Sequence, residues 1–426
     1  MDVSDSIRYI PLSYDIANSE ASAKALILAL KPEWRQSEDT VEFVRFTDGI
    51  TNTLFKAINK VPGWSDEQID HEAILMRAYG NGTDVLIDRE RETRSHSLLA
   101  SHNLAPELLA RFDNGLLYKY IEGNVCAPAD LRRSEVYRGV ARRLGQWHAT
   151  LPIASLITDI PEVDTQTNGT TCHGRKRKSS WLQAIDNITP DKPSPNLWTV
   201  MQKWIHALPH DTDAEKKRKA TLQSELLWSV NRLGSTPGIS PNPLVFCHCD
   251  LLSGNVIVEP HQASGASPTS TADSTTTDIS TDAAPVSFID YEYATPAPAA
   301  FDIANHFAEW GGFDCDHGAM PTRSERRDFL REYIASYSEH MGSEAFPESE
   351  IEARLDQLCK EVDNFRGIPG FYWGVWALIQ AKISQIDFDY ASYAEVRLGE
   401  YWAWKQEFTG TRQGELSVRE KRWAEE

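Results

Sequence analysis

Positive charge is what this sequence is short of: 43 Lys and Arg stand against 62 Asp and Glu, a formal charge of −19 over 426 residues. A field of that sign repels phosphate backbones and anionic lipid, so nucleic acid is a poor partner and a mildly favoured ligand would be cationic. Membrane-spanning runs are lacking too. The stretch from Ala25 to Leu30 is too short to cross a bilayer, and the N-terminus has no basic segment followed by an apolar one, as a secretion signal would. Cysteine is sparse, and Cys126, Cys172, Cys247, Cys249, Cys315 and Cys359 follow no disulfide-framework spacing. These absences lead us to expect a cytoplasmic protein without a transmembrane segment. No internal repeat is visible.

What is present is ordinary globular material. Thirteen Trp, 14 Tyr and 15 Phe supply bulk for sizeable cores, and the length suggests two lobes. From Val41 to Ile58 two β-rich runs flank TDGITN and read as a hairpin with Gly49 at its turn. A third strand is expected over Ile74 to Tyr79, a helix over Asp88 to Ser101 and a strand over Leu116 to Ile121. Residues 1–122 are thus expected to form a small, mainly antiparallel sheet lobe with one helix, and residues 123–426 a large, mainly helical lobe, an α+β chain. In the latter, Val136, Val140, Leu144 and Trp147 form one helical stripe, and Leu222, Leu226, Val230 and Leu233 another. Arg175 to Lys178 is a basic run in a polar loop, read as solvated rather than as a targeting signal. Residues 260–285 are Ser, Thr, Ala and Asp without an aromatic, too polar to order themselves, and read as a flexible insertion. After Tyr291 the pattern reads as helical.

The chemistry concentrates around that insertion. Before it, LVFCHCDLLSGNVIV sets His248, Asp250 and Asn255 at the spacing of a kinase catalytic loop, in which the Asp orients or deprotonates a hydroxyl and the Asn binds magnesium. After it, FIDYEY places Asp290 and Glu292 behind the next strand, where a kinase keeps its magnesium-chelating aspartate. Phosphoryl transfer also needs a cation on the nucleotide phosphates, and Arg77 with Glu92 on the following helix are the candidates. Thr47, Asp48, Gly49, Thr51 and Asn52 could donate to phosphates from the hairpin turn, although the turn is not a Walker A sequence and a plain hairpin would read the same. Trp373 and Trp376, three apart on a helix, read on spacing alone as core.

FTDGITN, LMRAYG, CHCDLLSGN, FIDYEYATPAPAAFDIANHFAEW and FYWGVWALIQAKISQIDFDYASYA, in this order, resemble the choline/ethanolamine kinase family through most of the chain. The resemblance implies a protein-kinase-like two-lobed fold with a nucleotide cleft between the lobes, ATP as co-substrate and Mg2+ as cofactor. It makes Asp250 the base or hydroxyl-orienting residue and Asn255 and Asp290 the magnesium ligands. Arg77 and Glu92 become the phosphate ion pair. Glu309 faces the cationic head of an amino alcohol, with Trp373, Trp376 and Tyr393 as an aromatic box and Glu292 and Asp314 beside it; an ammonium gains about 0.5–2 kcal/mol over an aromatic face. Leu252, and Asp314 where choline kinases carry an aromatic residue, favour ethanolamine over choline, since a primary ammonium needs acceptors more than ring faces. The implied product is phosphoethanolamine, the first step of phosphatidylethanolamine synthesis by the CDP-ethanolamine route. Choline or dual specificity, a larger aminated alcohol and a non-catalytic nucleotide-binding protein are the alternatives. Cys249, where the family commonly has Asn, leaves local hydrogen bonding open. The Cys247-His248-Cys249 run is a poor zinc site, and pairing as a homodimer is left open by the sequence.

Overall fold

The computed structural model describes residues 7–46, 52–80, 85–153, 188–189, 192–239, 243–260, 282–384 and 386–426. The TDGITN turn through residue 51, the Arg175 to Lys178 run and most of the Pro260 to Pro285 insertion lie outside the described residues.

The strands of the N-terminal sheet are β1 (Tyr9–Ile10), β2 (Val41–Phe46), β3 (Asn52–Asn59), β4 (Ile74–Tyr79), β5 (Leu108–Phe112) and β6 (Gly115–Lys119). Their spatial order is β1-β5-β6-β4-β3-β2, antiparallel except for the β1–β5 edge. The expected hairpin is the β2–β3 pair, with Phe46 opposite Leu54. β4 lies inside the sheet, so Ile74, Met76 and Ala78 are all buried, and so is Arg77. Among the described residues three α-helices accompany this sheet where one was expected: α1 (Ser19–Leu30), α2 (Asp66–His71) and α3 (Arg89–Ser101). Helix α1 exists because Ala23, Leu26, Ile27 and Leu30 form one buried stripe over the sheet, packing with Phe55, Met76 and Leu117. Helix α3 is capped by Asp88, whose side chain accepts from Arg91 N. Leu99 of α3, with Leu86, Ile87 and Leu104, joins the core of the C-terminal part instead.

That larger core is helical: α4 (Ser134–Thr150), α5 (Leu197–Ala207), α6 (Asp213–Leu233), α7 (Ala299–Ala308), α8 (Arg323–His340), α9 (Glu348–Phe365), α10 (Ile368–Ile383), α11 (Tyr390–Phe408) and α12 (Val418–Ala424). Val136, Val140, Leu144 and Trp147 are all buried, and the Trp147 indole donates to Phe246 O at 2.8 Å. Of the second stripe, Leu222, Leu226 and Leu233 are buried and Val230 is half-buried. The described residues of this part also form five short strands: β7 (Asn124–Val125), β8 (Val245–Cys247), β9 (Val256–Val258), β10 (Val286–Phe288) and β11 (Thr295–Ala297). β9 pairs with β10 across the insertion. β11, where helix was expected, pairs instead with β8 and brings α7 beneath the catalytic loop. Helices α10 and α11 approach closely through glycine: a Cβ on Gly370 would lie 2.5 Å from Arg397 O. Among the described residues no helix is long and apolar enough to cross a membrane.

Candidate active site

A cavity of about 410 Å³ lies between the sheet and the helical part. Its walls are apolar, with Leu54 and Leu75 from the sheet facing Leu252, Ile257 and Ile289, while Asp250, Asp290, Glu292 and Glu309 place carboxylates in its lining. An apolar cleft with a few convergent charges is the usual form of a small-molecule site.

The loop from His248 to Asn255 is held by its own sequence and by α7. Asn255 Nδ2 donates to Asp250 O at 2.8 Å and to Oδ2 at 3.3 Å, closing the loop on itself. Cys249 carries a left-handed φ of 63° and Asp290 one of 66°, conformations that side chains other than Gly resist and that cluster at functional sites. Asp302 holds the first: its two oxygens accept from His248 N and Cys249 N, each at 2.8 Å, and Oδ2 also lies 3.0 Å from His148 Nε2. The backbone of Cys249 therefore makes the bonds, and its thiol is not needed for them. His248 Nε2 reaches Ile289 O at 3.0 Å, tying the loop of Asp250 to that of Asp290. Burial lowers the His248 imidazole to about 4, so it is a neutral donor there. His306 likewise, lowered by burial to about 4, bonds Leu251 O through Nδ1 at 2.8 Å. His148, Cys247 and Asp302 cluster closely enough to suggest a metal site. Asp302 is already committed to two amides and an imidazole, and burial holds the Cys247 thiol protonated, so the trio is a structural hub.

Arg77 occupies one end of the cleft. Its guanidinium lies 2.9 Å from Glu92 and 2.9 Å from Asp290, and pairs with Glu292 as well. The strand–helix pair expected from the sequence is thus formed, within a larger cluster. Burial works against the charge on Arg77, but the carboxylates of Asp290, Glu92 and Glu292 outweigh it and raise its pKa. Glu292 also accepts from Asn52 Nδ2 at 3.1 Å and lies 3.4 Å from Arg89. It therefore sits against the sheet, with the Arg77 group. Asp250 is buried, and burial followed by the charges of Asp290, Glu309 and Glu292 raises its pKa well above the ordinary carboxylate range. This crowding of carboxylates is the donor set of a hard cation: Asp290, Asn255 and Glu292 bring oxygens together in the cavity lining, with Asp290 Oδ1 already paired to Arg77.

At the other end Trp373, Trp376 and Tyr393 line the cavity with Glu309. The two indoles stand edge to face, 5.4 Å apart, with each N–H engaged: Trp373 donates to Asn305 Oδ1 and Trp376 to Tyr293 Oη, both at 2.8 Å. Asn305 in turn donates to Cys249 O at 3.1 Å, so the aromatic box is linked to the catalytic loop. Glu309 is buried and already accepts from Arg397 at 3.0 Å. Asp314 does not join the site: its side chain is exposed, and the neighbouring Phe313 lines the cavity, 6.2 Å from Tyr393. Asp314 therefore does not replace an aromatic ring at the amine, since Phe313 supplies that ring one residue earlier.

The sequence reading missed Asp302, Asn305, Phe313 and Arg397. Asp302 and Asn305 did carry a signal, being polar residues in the otherwise apolar run AAFDIANHFA, where a buried polar group needs a partner. Phe313 and Arg397 carried none.

The pattern of the choline/ethanolamine kinase family matches residues 43–402. The chain is 32% identical over 403 residues to ethanolamine kinase 1 of Mus musculus, covering 92% of this chain and 91% of the relative. It is 31% identical to a probable ethanolamine kinase of Nematostella vectensis, covering 95% and 98%. An ethanolamine kinase structure from Plasmodium vivax superposes with a TM-score of 0.62 at 24% identity, over 91% of this chain and 89% of that one. A choline kinase from Cryptosporidium parvum does so at 0.57 and 19%, over 91% and 96%. These share the two-lobed, protein-kinase-like fold. With the family's pattern across most of its length and the cleft of a kinase between sheet and helices, this chain belongs to the choline/ethanolamine kinase family.

Proposed function

We propose that the protein transfers the γ-phosphoryl group of ATP to the hydroxyl of ethanolamine. The observation that carries this is the position of Asp250: a buried carboxylate in one cavity with the Arg77 group at one end and Glu309 with three aromatic rings at the other. A nucleotide placed with its phosphates near Arg77 and an amino alcohol with its ammonium near Glu309 would meet at Asp250. The relatives named as ethanolamine kinases support the same acceptor.

Asp250 accepts the hydroxyl proton as the oxygen attacks, while the hydroxyl's alignment comes from the ammonium held by Glu309 and the Trp373–Trp376 corner. Burial, with the surrounding carboxylates, raises the Asp250 pKa, and a cation beside it favours the ionised, proton-accepting form. Asn255 fixes its carboxylate. Arg77, held by Glu92, offers charge to the phosphates. Asp290 and Asn255, with Glu292 beside them, would hold Mg2+, which supplies neutralisation of the phosphate charge. The Glu292 expected at the amine we thus assign to the phosphate side. The hairpin turn, with Thr47, Asp48, Gly49 and Thr51, we assign to the phosphates as well, and we place the reaction in the cytoplasm, as cysteines without a disulfide-framework spacing suggest.

A second acceptor is favoured by Phe313, because an added ring face suits a methylated ammonium, and choline is therefore included. Release of ADP is to be measured with Mg2+ and ethanolamine, choline, both, or neither. Turnover is expected with ethanolamine and weaker turnover with choline; no ethanolamine-dependent ADP release would overturn the proposal. Asp250→Ala should lower kcat by on the order of 10³ while nucleotide still binds, and near-normal kcat would remove Asp250 from its role.

A further inference from the structure

Behind Glu309 runs a line of buried charges that the phosphoryl transfer does not itself use. Arg397 of α11, 1% exposed, donates Nη2 to Glu309 at 3.0 Å and points Nε at Glu400 at 3.6 Å. Glu400 is in turn approached by Arg419 at 3.8 Å and by His317 at 2.8 Å. The Arg397 guanidinium also lies 5.8 Å from the centre of the Tyr393 ring, a wall of the amine site. Two guanidinia and two carboxylates thus alternate from the cavity wall inward, each buried.

A carboxylate meant to meet an incoming ammonium could have been left alone, and this one is not. A buried lone carboxylate takes up a proton or turns away, and in either state it attracts a cation poorly. Burial does push the Glu309 carboxyl upward, and the Arg397 charge is the largest influence opposing it. One oxygen is engaged by the guanidinium, yet Glu309 still lines the cavity.

We propose that Arg397 is a positioning residue for the amine site: it fixes the Glu309 carboxylate in the cavity wall, with Glu400 fixing Arg397 in turn, and so sets the affinity for the substrate ammonium. The inference rests on the amino-alcohol reading given above. Among the described residues Arg397 pairs with Glu309 and Glu400 and not with the Arg77 group, so its loss is read at one substrate only.

The test compares KM for ethanolamine with KM for ATP in the full-length protein and in Arg397→Met and Arg397→Lys, with melting temperature measured alongside. In Arg397→Met the ethanolamine KM should rise about tenfold or more while the ATP KM stays within about twofold. Arg397→Lys, keeping the charge without the fork, should recover part of the loss. If the Met variant does not fold, the Lys variant carries the test alone, with a raised ethanolamine KM and an unmoved ATP KM expected. An unmoved ethanolamine KM, or both KM values rising together as the melting temperature falls, would overturn the role of Arg397. Absence of ethanolamine turnover by the unmodified protein would overturn the acceptor reading and this inference with it.

Discussion

At the Arg77 end of the cleft two guanidinia, Arg77 and Arg89, lie among Glu92, Asp290 and Glu292 with Asp250 beyond, whereas at the Arg397 end Arg397 and Arg419 alternate with Glu309 and Glu400. The first group carries an excess of carboxylate, and the burial of Asp250 and Glu292 raises both. The second is balanced. Burial alone would raise Glu400, but Arg397, Arg419 and His317 outweigh it and hold it at about 2. One end therefore has carboxylate to spare for cations, and the other is neutralised by the chain itself. Catalytic groups are expected at the former and a fixed receptor for a small cation at the latter.

The sharpest way to break this contrast is to neutralise carboxylates at each end. Asp290→Asn should lower kcat by on the order of 10². Asp250→Asn, at the carboxyl that burial and its acidic neighbours raise, should stabilise the ligand-free protein by about 0.5–1 kcal/mol, because it relieves a crowded charge. Loss of stability on thermal or urea unfolding would contradict the excess assigned to that end. Glu400→Gln should act oppositely, destabilising by about 3 kcal/mol because it strips a counter-charge from Arg397 and Arg419 inside the core. A variant as stable as the parent would show the balance there to be unimportant.

The loop of Asp250, which His306 holds through Leu251 O, is probed by pH. The folded His306 sits at about 4 and the unfolded imidazole at about 6.5, so below 6.5 the unfolded chain binds the extra proton. Its contribution is complete above about 6.5 and is lost as pH falls towards 4. The stability advantage of the parent over His306→Asn should therefore shrink by up to about 1.4 kcal/mol per pH unit in that window, and equal slopes in urea titrations of the two would refute it. The smallest effect belongs to Asp314→Ala. With its side chain outside the cavity, KM for ethanolamine and for choline should each stay within about twofold. A clear shift in their ratio would return Asp314 to the site.

How far the site was legible follows the range of the interactions. Asp250, Asn255 and the strand to Asp290 could be read because the loop closes over five residues and its hairpin partner follows in sequence once the insertion is set aside. Arg77 and Glu92, 15 residues apart on adjoining elements, could be paired in advance, and they lie 2.9 Å apart. Glu292 could not be sided, because Asn52, which bonds it, is 240 residues away. Helix α1 was overlooked, although its apolar stripe was there to be found.

The sequence by itself determined several elements and the reacting groups: β-rich runs about a Gly-containing turn set the β2–β3 hairpin, near-four-residue spacing set α4, and one motif set the loop of Asp250. Only the tertiary structure decided that Phe313 and not Asp314 faces the amine, that Asp302 holds the left-handed turn at Cys249, and that Glu309 is shared with Arg397. The reason is physical. A periodic pattern fixes which face of an element is buried, but the partner of a buried charge is chosen by which helices pack together. Here α11 lies close on α10 where Gly370 and Gly374 leave room, and that contact brings Arg397 to Glu309.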